Sequence, residues 1–182
     1  LLFVPGLRDE VAEHWQTLLA SQMRAAGRPV HVVPPMGRTD LDCMARVEVI
    51  ERAVQRVQGP LILVAHSGGC IMVAHWALRT RRAVQGALLA TPPDFESPMP
   101  AGYPTIEALA GGGWFPVPRS VLPFRSLVAA SRNDPLGTFE RVSALAADWG
   151  SERVDLGEVG HLNPASGFGP WPLALELIER LA

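Results

Sequence analysis

Residues 61–69 have the sequence Leu-Ile-Leu-Val-Ala-His-Ser-Gly-Gly, and this stretch decides the fold of the chain. Its apolar first part has the length and composition of a parallel β-strand that is covered on both faces. From Gly68 to Arg82, apolar side chains recur at helical spacing. The pattern therefore predicts a buried strand that passes through a sharp turn at Ser67 directly into a helix.

Small residues on both sides of Ser67 indicate that this turn is tight. Strand and helix nearly touch at such a turn, so the positions two before and two after the serine must be small. Here they are Ala65, which replaces the usual glycine, and Gly69. A serine between a buried strand and a helix is typical of a nucleophile elbow. We predict that Ser67 is a nucleophile; the alternative is a glycine-rich turn whose serine has no chemical role.

A nucleophilic serine needs a histidine base, and the base needs an acid that orients it. In this architecture the order along the chain is Ser, then Asp or Glu, then His. His161 is the only histidine beyond the helix that follows Ser67, and it lies in a loop after a predicted strand. We therefore predict that His161 is the base. The other histidines are assigned to structural positions: His14 and His75 in helices, His31 in a strand, and His66 in local packing with its side chain pointing away from the base.

Two aspartates compete for the role of the orienting acid. Asp134 follows a predicted strand at its carboxyl end, two strands after Ser67, and is our preferred candidate. Its alternative role is to cap or turn the chain before the next helix. Asp94, after the preceding strand, is the rival, whereas Asp155 lies within a strand and Glu158 is too near His161 along the chain.

The oxyanion of an acyl-transfer reaction needs two backbone N–H donors. The amide of Gly68, directly after the serine, is one candidate. The second is the amide of Leu7, in the loop after the first strand, where Gly6 lets the backbone approach a substrate closely. The alternative for this loop is a simple turn that ends a strand.

These residues resemble the small, lidless serine hydrolases of the retinoblastoma-binding protein nine and YdeN type, a branch of the α/β-hydrolases. The resemblance covers nearly the whole chain and implies Ser67, Asp134 and His161 as a catalytic triad. It also implies hydrolysis of an acyl ester or amide without a cofactor. Its carriers are 4–6 (Val-Pro-Gly) with His14 and Trp15, 65–69 (Ala-His-Ser-Gly-Gly), 130–135 (Ala-Ser-Arg-Asn-Asp-Pro), 160–163 (Gly-His-Leu-Asn) and 166–172 (Ser-Gly-Phe-Gly-Pro-Trp-Pro).

Strands and helices alternate along the chain, which predicts a single three-layer α/β/α domain over 1–182 with a parallel sheet. By analogy with the α/β-hydrolases, we expect the strand order 2-1-3-4-5-6. Residues 92–123 lack the apolar periodicity of a large cap domain, so we expect an irregular segment beside an open site. The predicted strands are 1–5, 29–34, 60–66, 84–91, 125–131 and 151–156, and the predicted helices are 9–26, 40–57, 68–82, 104–110, 137–149 and 170–181.

Four aromatic residues near the predicted catalytic loops are candidates for the substrate pocket. Trp114 and Phe115 belong to the irregular segment, and Trp15 and Trp171 each adjoin a catalytic loop. Each of the four also has a packing alternative, over the sheet edge or within a helix. Between the two aromatics of the run 167–172, Pro170 suits the first turn of the last helix.

Composition restricts the partners. A net charge of −2 over 182 residues gives no electrostatic surface for nucleic acid or an anionic membrane. Two cysteines are too few for a disulfide framework, no Cys–His cluster has metal-ligand spacing, and no apolar run could span a bilayer. We expect a cytoplasmic enzyme without a metal, whose partner is a small acyl ester or amide; the oligomeric state stays open.

Two other classes of function remain. One is a non-catalytic interaction module on a hydrolase scaffold, in which the triad is present but unused. The other is a nucleotide-binding, flavodoxin-like protein, which would need a phosphate-binding loop after the first strand. Residues 5–10 put two acids close behind a single arginine there, which disfavours a phosphate.

Overall fold

Six parallel strands form the centre of the protein in a computed structural model that describes residues 1–8 and 11–182. The strand order is β2-β1-β3-β4-β5-β6, and every neighbouring pair is parallel. Both the parallel sheet and its order are therefore confirmed. The strands are β1 (Leu2–Val4), β2 (His31–Val32), β3 (Ile62–His66), β4 (Gly86–Ala90), β5 (Ser126–Ala130) and β6 (Glu152–Asp155).

Helices cover both faces of this sheet, because the side chains of its central strands alternate between two apolar clusters. In β3, Leu63 and Ala65 belong to the cluster under α2, α3 and α5, whereas Ile62 and Val64 belong to the cluster under α1 and α6. The helices are α1 (Trp15–Ala25), α2 (Cys43–Val54), α3 (Gly68–Ala77), α4 (Ile106–Gly111), α5 (Phe139–Asp148) and α6 (Leu173–Glu179), with a 3-10 turn at Pro164–Ser166.

All six helices are shorter than predicted, and local features explain the difference at the start of the first helix and of the last one. The predicted helix 9–26 begins only at Trp15, because His14 is its N-cap and accepts a hydrogen bond from the Gln16 amide; residues 9 and 10 lie outside the described part of the chain. The helix after the serine ends at Ala77 rather than at 82. The last helix starts after Pro172, so Pro170 precedes it instead of occupying its first turn.

The first turn of α1 is fixed to the sheet by a buried glutamine. The Gln16 side-chain amide donates to the carbonyl oxygens of Val4 and Val64, at 3.2 and 2.9 Å. Because these carbonyls belong to β1 and β3, one side chain joins the two strands near their carboxyl ends. That edge of the sheet carries the candidate site.

The segment 92–123 contains only the six-residue helix α4 and otherwise irregular chain, so the absence of a large cap is confirmed. Trp114 anchors the segment: its ring is fully buried, and Nε1 donates to the Leu41 carbonyl at 2.7 Å. None of the helices in the described part of the chain has the length and apolar character that crossing a membrane would require.

Candidate active site

Ser67 occupies a strained turn between β3 and α3. Its backbone angles are φ 55° and ψ −133°, a region that non-glycine residues rarely adopt and that is concentrated at functional sites. The crossing behind it is as tight as the sequence predicts. A Cβ on Gly69 would lie 2.6 Å from the carbonyl oxygens of Val4 and Pro5, so only glycine fits. The methyl group of Ala65, in contrast, is accommodated in the apolar core.

The structure brings together the three side chains that the chain order predicts. The Ser67 hydroxyl donates to Nε2 of His161 at 2.8 Å. On the other side of the ring, Nδ1 of His161 donates to both carboxylate oxygens of Asp134, at 3.0 and 2.9 Å. Asp134 also accepts the Leu136 amide at 2.9 Å, which fixes the carboxylate in its turn. His161 and Asp134 are both buried.

Asp94 has a different partner. Arg141 donates to both of its oxygens, at 2.8 and 3.1 Å, and Ser97 donates to one of them. Burial alone would raise the pKa of Asp94, but these hydrogen bonds and the Arg141 charge hold it below the usual value. Asp94 therefore belongs to an ion pair with α5 and not to the serine–histidine pair.

The loop that carries His161 is held by hydrogen bonds from two neighbouring segments. The amide of Gly160 donates to the Asn133 side chain at 2.6 Å, and the amide of His161 donates to the Ser166 hydroxyl at 3.0 Å. Ser166 in turn donates to Asn163 at 3.0 Å. Polar residues of the stretches 130–135 and 160–166 therefore serve to fix the position of the histidine.

His66 contradicts its sequence assignment. We expected its side chain to point away from the base, but its Nε2 donates to the backbone carbonyl of His161 at 3.0 Å. Its ring centroid lies 5.0 Å from the ring of His161 and 4.6 Å from that of His14. The expectation was wrong because the loop of His161 folds over the face of β3 to which His66 points.

His14 and His66, the two histidines whose rings lie next to each other beside His161, are neutral at neutral pH. Burial lowers the pKa of His14 to about 4, and the charge of His161 acts in the same direction. Burial, together with the charges of His161 and His14, lowers the pKa of His66 well below its ordinary value. Any positive charge in this cluster of rings is therefore not carried by His14 or His66.

Leu7 and Gly68, the predicted oxyanion donors, are neighbours at the mouth of the site. A Cβ on Gly68 would lie 2.7 Å from the Leu7 side chain. Within residues 1–8 and 11–182, neither backbone amide donates to a protein acceptor, and Gly68 opens α3, where first-turn amides have no partner within the helix. Two backbone amides without a protein acceptor among the described residues thus belong to residues beside Ser67: Gly68 follows it in the chain, and Leu7 follows Gly6, on which a Cβ would lie 3.4 Å from the Ser67 hydroxyl.

A cavity of about 290 Å³ opens above Ser67 and His161. This volume is close to the lower end of the range of about 300–1,000 Å³ for small-molecule sites, which suits a small ligand. Its wall is mainly apolar, and the side chains that form most of it come from the loop after β1, from 93–104, from the loop after β5 and from the loop of His161. They include Val11, His14, Pro93, Phe95, Met99, Tyr103, Pro104, Leu136, Pro164 and Ala165.

Comparison with the sequence models of known families assigns the chain to one of them. A sequence model of the serine hydrolase family matches residues 1–180. The chain belongs to the serine hydrolase family. No curated protein sequence is similar enough to match it.

Solved structures place this serine hydrolase among the α/β-hydrolases. A putative YdeN-like hydrolase from Pectobacterium atrosepticum is 31% identical, with a TM-score of 0.77 over 99% of this chain and 90% of that one. The ydeN gene product of B. subtilis is 17% identical, with a TM-score of 0.76 over 99% and 96%. Est1E from Butyrivibrio proteoclasticus, solved with ferulic acid, is 12% identical, with a TM-score of 0.70 over 98% and 88%. The resemblance to YdeN-type hydrolases is confirmed.

The pocket of this hydrolase corrects the four aromatic candidates. Trp15, Trp114, Phe115 and Trp171 do not line the cavity, because each packs into one of the two apolar clusters that cover the sheet. Two aromatic rings that the sequence analysis missed, Phe95 and Tyr103, lie in the wall instead. The available signal was their position: residues that follow the carboxyl end of β4 extend over the edge where Ser67 lies.

The described residues offer no cluster of three or more histidine, cysteine or carboxylate side chains that could hold a metal ion. Cys43 and Cys70 are free, buried thiols, and burial raises the pKa of Cys43 to about 11. Neither thiol lies in the wall of the cavity at Ser67.

Proposed function

We propose that this hydrolase cleaves a small acyl ester or amide through an acyl-enzyme intermediate on Ser67. The observation that carries the proposal is the continuous hydrogen-bond chain from the Ser67 hydroxyl through His161 to Asp134. In this role His161 accepts the serine proton as the hydroxyl attacks the substrate carbonyl carbon. Asp134 fixes the ring with its proton on Nδ1 and stabilises the imidazolium that forms.

The collapse of the tetrahedral intermediate completes the first half of the reaction. His161 gives its proton to the leaving alcohol or amine, and the acyl group stays on Ser67 as an ester. Water then attacks this ester with His161 again as the base, which releases the acid and restores the serine. Because no step requires a redox change or a second substrate besides water, the chain's own residues suffice.

Leu7 and Gly68 are the proposed oxyanion donors, since their amides have no protein acceptor and adjoin Ser67. Two such N–H groups stabilise the charge that develops on the carbonyl oxygen, and losing one typically costs about 10²–10³-fold in rate. We therefore expect Leu7→Pro, which removes the N–H, to lose about 10²-fold or more in kcat. Leu7→Ala keeps the amide and should retain much of the activity.

The size and lining of the cavity favour a small acyl substrate with an apolar part. A cavity of about 290 Å³ suits a small acyl group, and the wall is formed largely by proline, aliphatic and aromatic side chains. Est1E, the neighbour solved with ferulic acid, shows that the same fold can hold a small aromatic acid. We place this activity in the cytoplasm, which the two free, buried thiols support.

Labelling with a fluorophosphonate probe tests this proposal. The wild-type protein should be labelled on Ser67, and Ser67→Ala should not be labelled at all. Ser143→Ala is the control, because that hydroxyl donates to the Phe139 carbonyl within α5, away from the cavity. Labelling of Ser67→Ala equal to that of the wild type would disprove the assignment of the nucleophile.

A substrate panel then separates the kinds of hydrolysis. Esters, thioesters and amides with acyl groups of graded length give kcat/KM values that we expect to fall once the acyl group exceeds the cavity. A folded wild-type protein that reacts neither with the probe nor with any of these compounds would favour the non-catalytic interaction module.

A further inference from the structure

We propose that His66 is a positioning residue, which sets the distance between Ser67 Oγ and His161 Nε2 by holding the backbone carbonyl of His161. This inference rests on the proposed function, because it concerns the same serine–histidine pair. It gives a chemical role to the histidine that we had assigned to local packing.

The first argument is the place of His66 in the chain. It ends β3 and directly precedes Ser67, so its backbone shares the rigid end of a central strand with the nucleophile. Its imidazole reaches across to donate to the His161 carbonyl at 3.0 Å. Nucleophile and base are therefore connected twice: once by the reacting hydrogen bond, and once by a link that does not break during the reaction.

The backbone of His161 is turned so that this second link can form. Leu162, the next residue, has φ 48°, which is unusual for a residue with a side chain, although it is fully buried. The strained angle directs the peptide that carries the His161 carbonyl. Strain of this kind persists only where surrounding contacts determine the conformation, and the bond from His66 is such a contact.

All four polar atoms of His161 have partners, and His66 supplies the one for the carbonyl. Ser166 accepts the amide proton, Asp134 accepts Nδ1–H, and the Ser67 hydroxyl donates to Nε2. The contact from Ser67 belongs to the reacting pair itself, whereas the contact from His66 holds the backbone of the loop to the last residue of β3.

His66 is suited to donate without taking part in proton transfer. A carbonyl can only accept, so the proton of the neutral ring lies on Nε2. Burial lowers the pKa of this ring well below its ordinary value, which keeps it neutral. A neutral ring does not repel the imidazolium that forms on His161 during the reaction. Its position is fixed by edge contacts with His14 and Trp15, whose ring centroids lie 4.6 and 5.9 Å away.

Two substitutions separate the hydrogen bond from the volume of the ring. His66→Met fills the space without an N–H donor, and we expect kcat to fall about 10- to 100-fold while KM changes less than about twofold, since a base displaced by about 1 Å can cost about 10²-fold. His66→Gln puts an amide N–H near the former Nε2 position, and we expect its kcat within about fivefold of the wild type. The rate of fluorophosphonate labelling should follow kcat in both variants.

His75→Met is the matched control. His75 also makes an imidazole-to-carbonyl contact, with its Nε2 at 3.2 Å from the Trp114 carbonyl, but it lies in α3 and does not line the cavity. This variant should lower Tm without changing kcat. A folded His66→Met protein that behaves in the same way, with lower Tm and full kcat, would overturn the proposal, as would a folded His66→Gln protein as slow as His66→Met.

The outcome for His66 can be distinguished from a failure of the proposed function. If the wild type reacts with neither probe nor substrate, the proposed function fails. Crystal structures of the His66→Met and His66→Gln variants then decide whether His66 holds His161 in place. We expect the distance from Ser67 Oγ to His161 Nε2 to lengthen beyond hydrogen-bond range with methionine and to stay near 2.8 Å with glutamine. An unchanged distance in the methionine variant would refute the role of His66.

Discussion

Asp134 and Asp94 show how surroundings divide two carboxylates that follow neighbouring strands. Asp134 faces the imidazole of His161 and an amide of its own turn, whereas Asp94 faces the guanidinium of Arg141. A permanent cation compensates Asp94 in every step of a reaction. In the proposed reaction Asp134, in contrast, faces a ring whose charge changes, and that difference is what an orienting acid requires.

Replacing Asp134 by asparagine should therefore lower mainly the rate, whereas replacing Asp94 by asparagine should lower mainly the stability. Asp134→Asn leaves the shape of the site intact but removes the acceptor that holds the proton on Nδ1, so we expect kcat to fall about 10³–10⁴-fold. Asp94→Asn weakens an ion pair with α5 and should lower Tm while keeping most of the activity. Steady-state kinetics and thermal melting measure both. Equal losses of kcat in the two variants would contradict the assignment.

The lowered pKa of His14 predicts a pH dependence of stability. In the unfolded chain His14 binds a proton with a pKa near 6.5, whereas in the folded protein it does so only near 4. As the pH falls from 6.5 to 4, the unfolded state gains a proton that the folded state does not, so folding is progressively destabilised. One pKa unit corresponds to about 1.4 kcal/mol, and the full effect approaches about 3 kcal/mol at pH 4.

His14→Asn isolates this contribution, because asparagine keeps an N-cap acceptor for α1 but does not titrate. Urea unfolding at several pH values should show a constant difference in free energy between the two proteins above pH 6.5. Below that pH the difference should shift in favour of the asparagine variant until about pH 4. Burial and the charge of His161, the two largest causes of the lowered pKa of His66, are the same in both proteins, so most of its contribution cancels in the comparison. Parallel stability curves down to pH 4 would exclude the effect.

At the scale of the residue, the sequence was sufficient to predict that Ser67, Asp134 and His161 lie together, because chain order and strand ends determine where they lie. It was not sufficient for His66. Alternation along β3 puts His66 on the same face as Val64. Only the tertiary structure shows that the loop of His161 covers that face.

At the scale of the element, the turn between β3 and α3 depends on how closely the helix passes β1. Gly69 lies against the backbone of Val4 and Pro5, and Leu7 lies against Gly68. The elbow and the loop after β1 are therefore in direct contact. A change in one must move the other, including the amide that we propose as an oxyanion donor.

Gly69→Ala tests this contact. The new Cβ would lie 2.6 Å from two carbonyl oxygens, which cannot rotate away as a side chain does, so β1 and α3 must separate. We expect the free energy of unfolding to fall by about 1–3 kcal/mol. We also expect the fractional decrease in kcat to be larger than the fractional decrease in Tm. Gly111→Ala is the control, since nothing lies within 4 Å of its new Cβ at the end of α4. A Gly69→Ala protein with wild-type kcat would show that the two elements are not coupled.

The boundaries of the elements were the least predictable part of the fold. Helical periodicity located all six helices, but the ends depend on individual contacts. The side chain of His14 caps α1, and Pro172 keeps Trp171 out of the helical region, so α6 starts later than the prolines suggested. Neither contact changes the apolar pattern from which the helices were predicted.

At the scale of the molecule, the two faces of the sheet are covered by different kinds of side chain. The face under α2, α3 and α5 holds the larger apolar cluster. The opposite face carries a stack of rings from His161 through His66 and Trp15 to Trp171, with successive centroids 5.0, 5.9 and 4.8 Å apart. Trp15 and Trp171, which were candidates for the substrate pocket with packing as their alternative, therefore have the packing role and support the site from below.

Trp171→Ala should consequently affect both stability and rate. The ring is 9% exposed, so its removal leaves a cavity that we expect to cost about 3–5 kcal/mol. Trp15 loses its edge contact, His66 loses support, and kcat should fall with little change in KM. Trp171→Phe, which keeps an aromatic ring, should recover much of both. Leu78→Ala, at a site that is 58% exposed, should stay within about 0.5 kcal/mol of the wild type. Full kcat in a folded Trp171→Ala protein would separate the stack from the site.

The pair formed by Trp15 and Trp171 also gives the protein an intrinsic spectroscopic probe. Two indoles fixed edge to face at 4.8 Å couple their strong far-ultraviolet transitions, so we expect a pair of circular dichroism bands of opposite sign there. The coupling depends on the mutual angle of the rings and vanishes when either one rotates freely. Because His66 lies against one of these rings, the dichroic couplet reports whether the support beneath the serine is ordered, without substrate, label or turnover.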